Sequence, residues 1–392
     1  MINQLLFRFR AYFLVAPLAI FVAIFFIWPL ATVFKQAISD PVMTINFPLT
    51  NEEIVKWDKV SKPPRSLEIA FMKDLQRITD NQVRGEVIRK LNSQQAGFRT
   101  LMSNTVNAVD KIDPASTDYP EMTAIDKRWA QPLYWNAVAR ALPVYTDQYL
   151  LSAIDMERDK NGSIHMVDAS QSANMSIMAR TLIISLLVTL LCIIIGLPYA
   201  MIMASVSTWK RQILLAAVLL PLWTSLLVRT SAWYVILQDS GLINTILMNL
   251  NLIDSPLHLL FNRTGVVIAM VHVLLPLMVL PIYGVLLSIP KNLMPAAASL
   301  GAHPIRAFLR VLLPLSLRGV AAGGLLVFIS AIGYYITPAL IGGPSDQMLS
   351  SIIAFYALNS ANWGMASALG AVLLVTTLML YTFYNMASKE KY

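Results

Sequence analysis

Few side chains in this sequence are of a type and spacing that could do chemistry. His165, His258, His272 and His303 show no H-x-x-x-H or H-E-x-x-H spacing, so no metal-binding helix face is predicted. Cys192 is the single cysteine and lies in an apolar run. There it reads as a small packing hydrophobe, and an intrachain disulfide is impossible. No G-x-x-x-x-G-K-[ST] loop is present to cradle a nucleotide's phosphates. Work against a gradient would therefore draw its energy from a partner or from an ion gradient. No catalytic residue, metal ligand set or bound cofactor is expected in this chain.

Two ionisable groups fall inside apolar runs, where such groups mark functional sites or specific pairing. His272 reads first as an imidazole bonded to a neighbouring helix. Arg229 is followed by Trp233 and Tyr234, a pairing suited to a membrane interface. It either snorkels toward headgroups or a helix end, or lines a wet translocation cavity.

The elements that must position these residues are membrane helices. Of 392 residues, 56% are hydrophobic and 13% charged, and the mean hydropathy is +0.60. An ordinary globular protein carries about 25% charged residues. The runs 11–33, 181–206, 264–290, 319–340 and 365–384 contain no Asp, Glu, Lys or Arg, and 213–237 contains Arg229 alone. Each is long enough to cross a bilayer. The first exceeds a signal-peptide core and is read as a retained helix. The expected class is an all-α membrane protein of six transmembrane helices with a mainly helical extracytoplasmic insert. Its parts are an N-terminus with the first span (1–39), the insert (40–175) and a five-helix core (176–392).

The net charge of +8 is unevenly spread. Residues 40–175 hold 16 basic and 18 acidic residues, which leaves a basic excess for the membrane part. This pattern speaks of topology and not of a nucleic-acid-binding face. With both termini in the cytoplasm, the short inner flanks carry Arg8, Arg10, Lys210, Arg211, Lys291, Arg306, Arg310, Arg318, Lys389 and Lys391. The outer stretches 238–263 and 341–364 carry only Arg263. The positive-inside rule thus places the insert outside, periplasmic in a Gram-negative inner membrane.

Within the insert, Thr50 and Glu53 form a capping-box signature. Ile69, Met72, Leu75 and Ile78 repeat at helical spacing. Asp159, Lys160, Asn161 and Gly162 signal a hairpin turn, followed by a strand over 163–167. Further on, Leu242, Ile243, Ile246, Leu247 and Leu250 mark one face of an interfacial helix.

The richest stretch is the inner loop 291–318. A short helix through Ala296–Leu300 is predicted to end at Gly301, and a second to start at Pro304. Ile305, Phe308, Leu309 and Leu312 form an apolar ridge, with Arg306 and Arg310 off it. Pro314 is expected to bend the chain back into the membrane. Such a helix–turn–helix loop is a docking element for another protein.

The segment Pro295-Ala-Ala-Ala-Ser-Leu-Gly301-Ala302, with Val311 ten residues after Gly301 and then Leu313-Pro314, resembles the EAA loop of binding-protein-dependent ABC importer permeases. Leu220-Pro-Leu-Trp-Thr-Ser-Leu-Leu-Val-Arg-Thr-Ser-Ala-Trp233, Gly241-Leu-Ile-Asn244 and Met270-Val-His-Val-Leu-Leu-Pro-Leu-Met-Val-Leu-Pro281 resemble the spermidine/putrescine permeases among them. The resemblance covers roughly 180–386, and the insert has no counterpart in it. It implies a type I ABC importer permease fold. The loop would couple to an ATPase dimer that binds ATP and magnesium, beside a second permease subunit and an extracytoplasmic substrate-binding protein. Ala297, Gly301, Ala302 and Pro314 would shape that loop, and Phe308 and Leu309, with Arg306, would dock.

Two departures stand out. The family's leading glutamate falls on Pro295, which leaves docking to the apolar ridge. No acidic residue lies inside a span to receive a polycation, and Asp239 and Asp346 sit at outer edges. Trp223, Tyr334 and Tyr335 are the aromatic faces available on a path that Arg229 would share. Related importers carry opines, other amines, phosphonates or ferric iron. A stand-alone secondary transporter or channel would instead show intramembrane carboxylates and repeated halves, neither of which is found here. A membrane-tethered sensor would not need the loop.

Overall fold

The computed structural model describes residues 15–113, 118–158, 163–168 and 172–389, with side chains to Met386. The predicted turn at Asp159–Gly162 lies outside the described residues, as do Arg8, Arg10, Lys391 and the side chain of Lys389. Two compact units emerge, Met1–Leu151 with Ala361–Ala368 and Ser152–Ser360 with Leu369–Tyr392.

In the first unit, α1 (Val15–Ile38) is apolar enough to span a membrane and buries none of its apolar window. Helices α2 (Pro48–Ile54), α3 (Arg65–Arg77), α4 (Asn81–Gln94), α5 (Phe98–Val109) and α6 (Pro132–Ala141) then enclose a separate core. α3 forms where the spacing of Ile69, Met72 and Leu75 predicts, with Ile78 as its C-cap. The core centres on fully buried Phe71, Phe98, Trp129 and Trp135. The Trp129 and Trp135 rings lie 5.0 Å apart. Each indole N–H is satisfied: Trp129 donates to Thr105 Oγ1 at 2.9 Å and Trp135 to the Trp129 carbonyl at 3.0 Å. Those bonds remove the penalty that a buried N–H would otherwise carry.

The capping box at Thr50 does not form. Thr50 lies inside α2, wholly buried, and its N–H and hydroxyl both donate to Asp74 Oδ2 at 2.7 and 2.8 Å. A carboxylate on α3 thus satisfies the first-turn N–H groups of α2, a role local sequence assigned to Thr50 itself. Nearby, the buried ammonium of Lys90 pairs with Asp40 at 2.5 Å, and the Tyr149 hydroxyl donates to the same carboxylate.

In the second unit, β1 (Met156–Arg158) and β2 (Ile164–Met166) pair antiparallel, with Glu157 opposite His165. The long helix α7 (Asn174–Ser205) follows, its first N–H groups capped by the Asp155 carboxylate. Next come α8 (Thr208–Trp223), α9 (Leu226–Ile236), α10 (Leu242–Asn249), α11 (Arg263–Ser288), α12 (Leu293–Ser299), α13 (Pro304–Ile332), α14 (Ile336–Ile341) and α15 (Trp363–Lys389).

α7, α11 and α13 pack on one another around α11, whose apolar window is 67% buried. α13 comes close because Gly319 and Gly323 carry no side chain. A Cβ at Gly319 would sit 2.8 Å from the Ile282 Cα, and one at Gly323 would sit 2.9 Å from the Met278 carbonyl oxygen. Small residues at such crossings allow the backbone contact that holds helices together in lipid.

Among the described residues five helices are long and apolar enough to cross a membrane, and α8 with α9 supplies a sixth only as a bent pair. The sequence predicts one span over 213–237; the chain there is two helices that turn by 101° between α8 and α9. Pro221 breaks the hydrogen-bond ladder near the end of α8. Ser225 then caps α9, its hydroxyl accepting from the Val228 N–H at 3.2 Å. A short helix, α10, forms where the sequence predicts one, with Leu242 and Ile246 exposed on it and Leu250 exposed just after it. Asn244 is fully buried beneath it and ties Gln238 and Leu257 together through three hydrogen bonds.

Candidate functional site

The loop 291–318 is built by chain reversal at Gly301. α12 ends as a Schellman motif: the Ala302 N–H donates to the Ala297 carbonyl at 3.0 Å, and the Gly301 N–H to the Ala298 carbonyl at 2.9 Å. Gly301 takes φ +81°, and a Cβ there would meet nothing within 4 Å. Its role is conformational, since the left-handed region costs other residues about 1–2 kcal/mol. After the turn, the His303 ring accepts from the Ile305 N–H at 3.4 Å, and Pro304 opens α13 where its missing N–H is harmless. That use of His303 as a cap is not legible from its spacing.

Pro314 does not bend the chain. Residues 308–312 form one π turn inside α13, with the Leu313 N–H donating to the Phe308 carbonyl, and the helix continues to Ile332. Widening the helix by one residue accommodates the proline without a break. The ridge is also rearranged. Leu300, Ile305 and Leu309 are exposed, at 88%, 64% and 52%, while Phe308 is half-buried and Ala307 buried. Arg306 and Arg310 are exposed beside it. The loop thus offers three unpartnered aliphatic side chains flanked by cations.

A second group of residues surrounds α9. Arg229 is half-buried, and its Nε and Nη1 atoms are buried without a hydrogen-bond partner. Leaving a buried donor unpaired costs on the order of 1–3 kcal/mol. One turn further along α9, Trp233 Nε1 donates to His272 Nδ1 at 3.0 Å, with the rings edge to face at 5.4 Å. His272 is therefore bonded to a neighbouring helix. The Thr230 and Thr337 hydroxyls, 3.2 Å apart, tie α9 to α14.

Trp223, at the end of α8, is 79% exposed, and Tyr335 is 42% exposed. Among the described residues no ring contact or hydrogen bond joins either to Arg229. Of the acidic residues in the outer stretches, Asp239 and Asp346 are engaged. Asp346 pairs with Arg263 at 3.3 Å and Asp239 with His258 at 3.1 Å. Among the described residues, no group of three or more His, Cys, Asp or Glu side chains is placed to hold a metal.

Apolar helices of spanning length joined by an exposed inter-helix loop are the architecture of a multi-pass membrane protein. Residues 196–390 match the family described as the binding-protein-dependent transport system inner membrane component, and the chain belongs to that family. It is an ABC importer permease. It is 35% identical over 210 residues to the spermidine/putrescine transport system permease protein PotB of Haemophilus influenzae, covering 54% of this chain and 73% of that one. Its identity to PotB of Escherichia coli K12 is 32% over 213 residues, covering 54% and 78%. A solved bacterial alginate ABC transporter, in complex with its pentasaccharide-bound periplasmic protein, aligns with a TM-score of 0.46 at 20% identity, over 56% of this chain and 80% of the other.

Proposed function

We propose that this permease imports a polyamine of the spermidine/putrescine class across a bacterial inner membrane. In this reading it pairs with a second permease subunit, couples to two ATPase subunits that bind and hydrolyse ATP with magnesium, and receives solute from an extracytoplasmic binding protein. The termini and the loop 291–318 face the cytoplasm. Identity above 30% to two permeases named for spermidine and putrescine carries the choice of solute.

The exposed aliphatic triplet Leu300, Ile305 and Leu309 supports docking of the loop on a partner, because burying such side chains is worth about 1.5–3 kcal/mol each. Solute would pass as ATP-driven closure of the ATPases moves the loops. Trp223 and Tyr335 remain candidates for the path, each with an exposed ring that could face a cation.

Two measurements test this reading. The cognate binding protein should gain thermal stability with spermidine or putrescine and not with sulfate; the reverse ranking would remove the polyamine assignment. Gly301→Asn should keep ATP hydrolysis coupled to uptake, since Asn tolerates the left-handed region, while Gly301→Val should uncouple it. Equal behaviour of the two variants would show that the turn's geometry is not what couples.

A further inference from the structure

We propose that the ribbon of β1 and β2 rests on the bilayer surface, its apolar face held against lipid where α7 begins. This goes beyond the transport reading and does not depend on the solute carried.

The ribbon has two unlike faces. Side chains alternate along a strand, and residues directly opposite each other in an antiparallel pair share a face. Met156 pairs with Met166 and Arg158 with Ile164, so those four lie on one side. Glu157 and His165 lie on the other, with the imidazole 3.1 Å from the carboxylate. On the first side Met166 is 73% exposed and Ile164 is 51% exposed. A two-stranded ribbon this short is marginal at best in water. Its apolar face needs a cover, and among the described residues none covers Ile164 and Met166.

What covers them follows from where the ribbon is rooted. Asp155 immediately precedes β1, buried and in the left-handed region at φ +55°. Its carbonyl accepts from the Val167 N–H at 3.0 Å, just after β2. Its carboxylate accepts from the N–H groups of Asn174 and Met175, the first two residues of α7, at 3.0 and 2.8 Å. The Asn174 side chain adds a bond to the Ser152 carbonyl at 2.8 Å. Met156 and Met166, the pair nearest Asp155, are thereby fixed close to the first turn of α7.

That turn is at the level of the lipid headgroups. α7 is a spanning helix of 32 residues. It is about 48 Å long, against about 40–45 Å for a bilayer with its headgroups. It carries no charge before Arg180, and Met175 in its first turn is exposed. The ribbon extends only about 10 Å from this root, so its side chains reach the same layer. Methionine and isoleucine suit the boundary between headgroups and acyl chains, and a cation at Arg158 suits anionic headgroups on the same face. The Glu157–His165 face is left to water. A soluble protein would have to enter the headgroup layer to cover the same side chains, which makes lipid the better occupant.

The test uses the full chain reconstituted in vesicles of phosphatidylcholine and phosphatidylglycerol. A nitroxide is attached to Ile164→Cys, His165→Cys or Met166→Cys in turn; Cys192 is buried, so the label goes to the introduced thiol. Relaxation by oxygen, which concentrates in lipid, is compared with relaxation by a water-soluble nickel chelate. The oxygen-to-chelate ratio at positions 164 and 166 should exceed that at 165 by about threefold or more, the alternation expected of a ribbon with one face on lipid. The same water-like ratio at all three positions would overturn the proposal. Shielding of 164 and 166 from both reagents would also overturn it, because protein and not lipid would then cover the face. As a second measurement, Met166→Asp should raise amide exchange over 156–166 about tenfold in vesicles while leaving exchange in the insert core unchanged. Unaltered exchange in the ribbon would show that lipid is not what holds it.

Discussion

The insert core and the helical bundle solve the same problem of buried polar groups in opposite ways. Around Trp129 and Trp135 every indole N–H finds an acceptor, and even the buried carboxylate of Asp74 is bonded. Around α9, the Arg229 head is buried with two donors unpaired, and large aliphatic side chains lie exposed on α8, α9 and the loop 291–318. A water-facing unit must close its core by itself, because water competes for every polar group and expels every apolar one. A bundle subunit is finished by lipid and by neighbours. The exposed aliphatic side chains of the second unit are of the kind that lipid or a packed helix covers.

The largest test of this contrast is Trp135→Ala. Loss of a fully buried indole should destabilise the insert core by about 3–5 kcal/mol, read by limited proteolysis and the loss of tryptophan fluorescence shift. A cost below about 1 kcal/mol would mean the first unit is loosely packed and the contrast false. Gly319→Val comes next. Its side chain would meet the Ile282 Cα and the Pro281 carbonyl, backbone atoms that cannot swing aside, and overpacking of this kind costs about 1–3 kcal/mol. A lower melting temperature of the purified chain is expected, and an unchanged one would show that α11 and α13 have freedom to part.

The smallest effect concerns pH. Burial raises the Asp74 carboxyl above its usual range, opposed by its bonds from Thr50 and Leu49. The native state then holds this proton more tightly than the unfolded chain does. Its contribution favours folding at low pH and declines as pH rises from the unfolded value near 4 to the raised native value. Asp74→Asn should flatten that decline in melts taken upward from about pH 4, while the amide oxygen still accepts from Thr50. An unaltered slope would mean that the pH dependence arises elsewhere.

Spans are legible in the sequence because lipid imposes a length and an absence of charge that few other environments demand. The start of α13 at Pro304 and the reversal at Gly301 are legible for a similar reason: proline and glycine carry their backbone limits with them. The bend between α8 and α9 is not, since Pro221 and Ser225 are residue types that also occur within straight membrane helices. Nor is the replacement of Thr50 by Asp74 as the cap of α2, because the two are brought together by packing across 24 positions.

The sequence by itself determined that this chain carries apolar runs long enough to cross a membrane and that the loop between two of them reverses at Gly301. These follow from local composition and from residues whose conformational limits are intrinsic. Only the tertiary structure decided that Leu300, Ile305 and Leu309 stay exposed while Phe308 is half-buried. It alone decided that His272 is occupied by Trp233 while Arg229 is left without a partner. Burial and pairing belong to the packed chain, since each depends on what a distant helix places alongside.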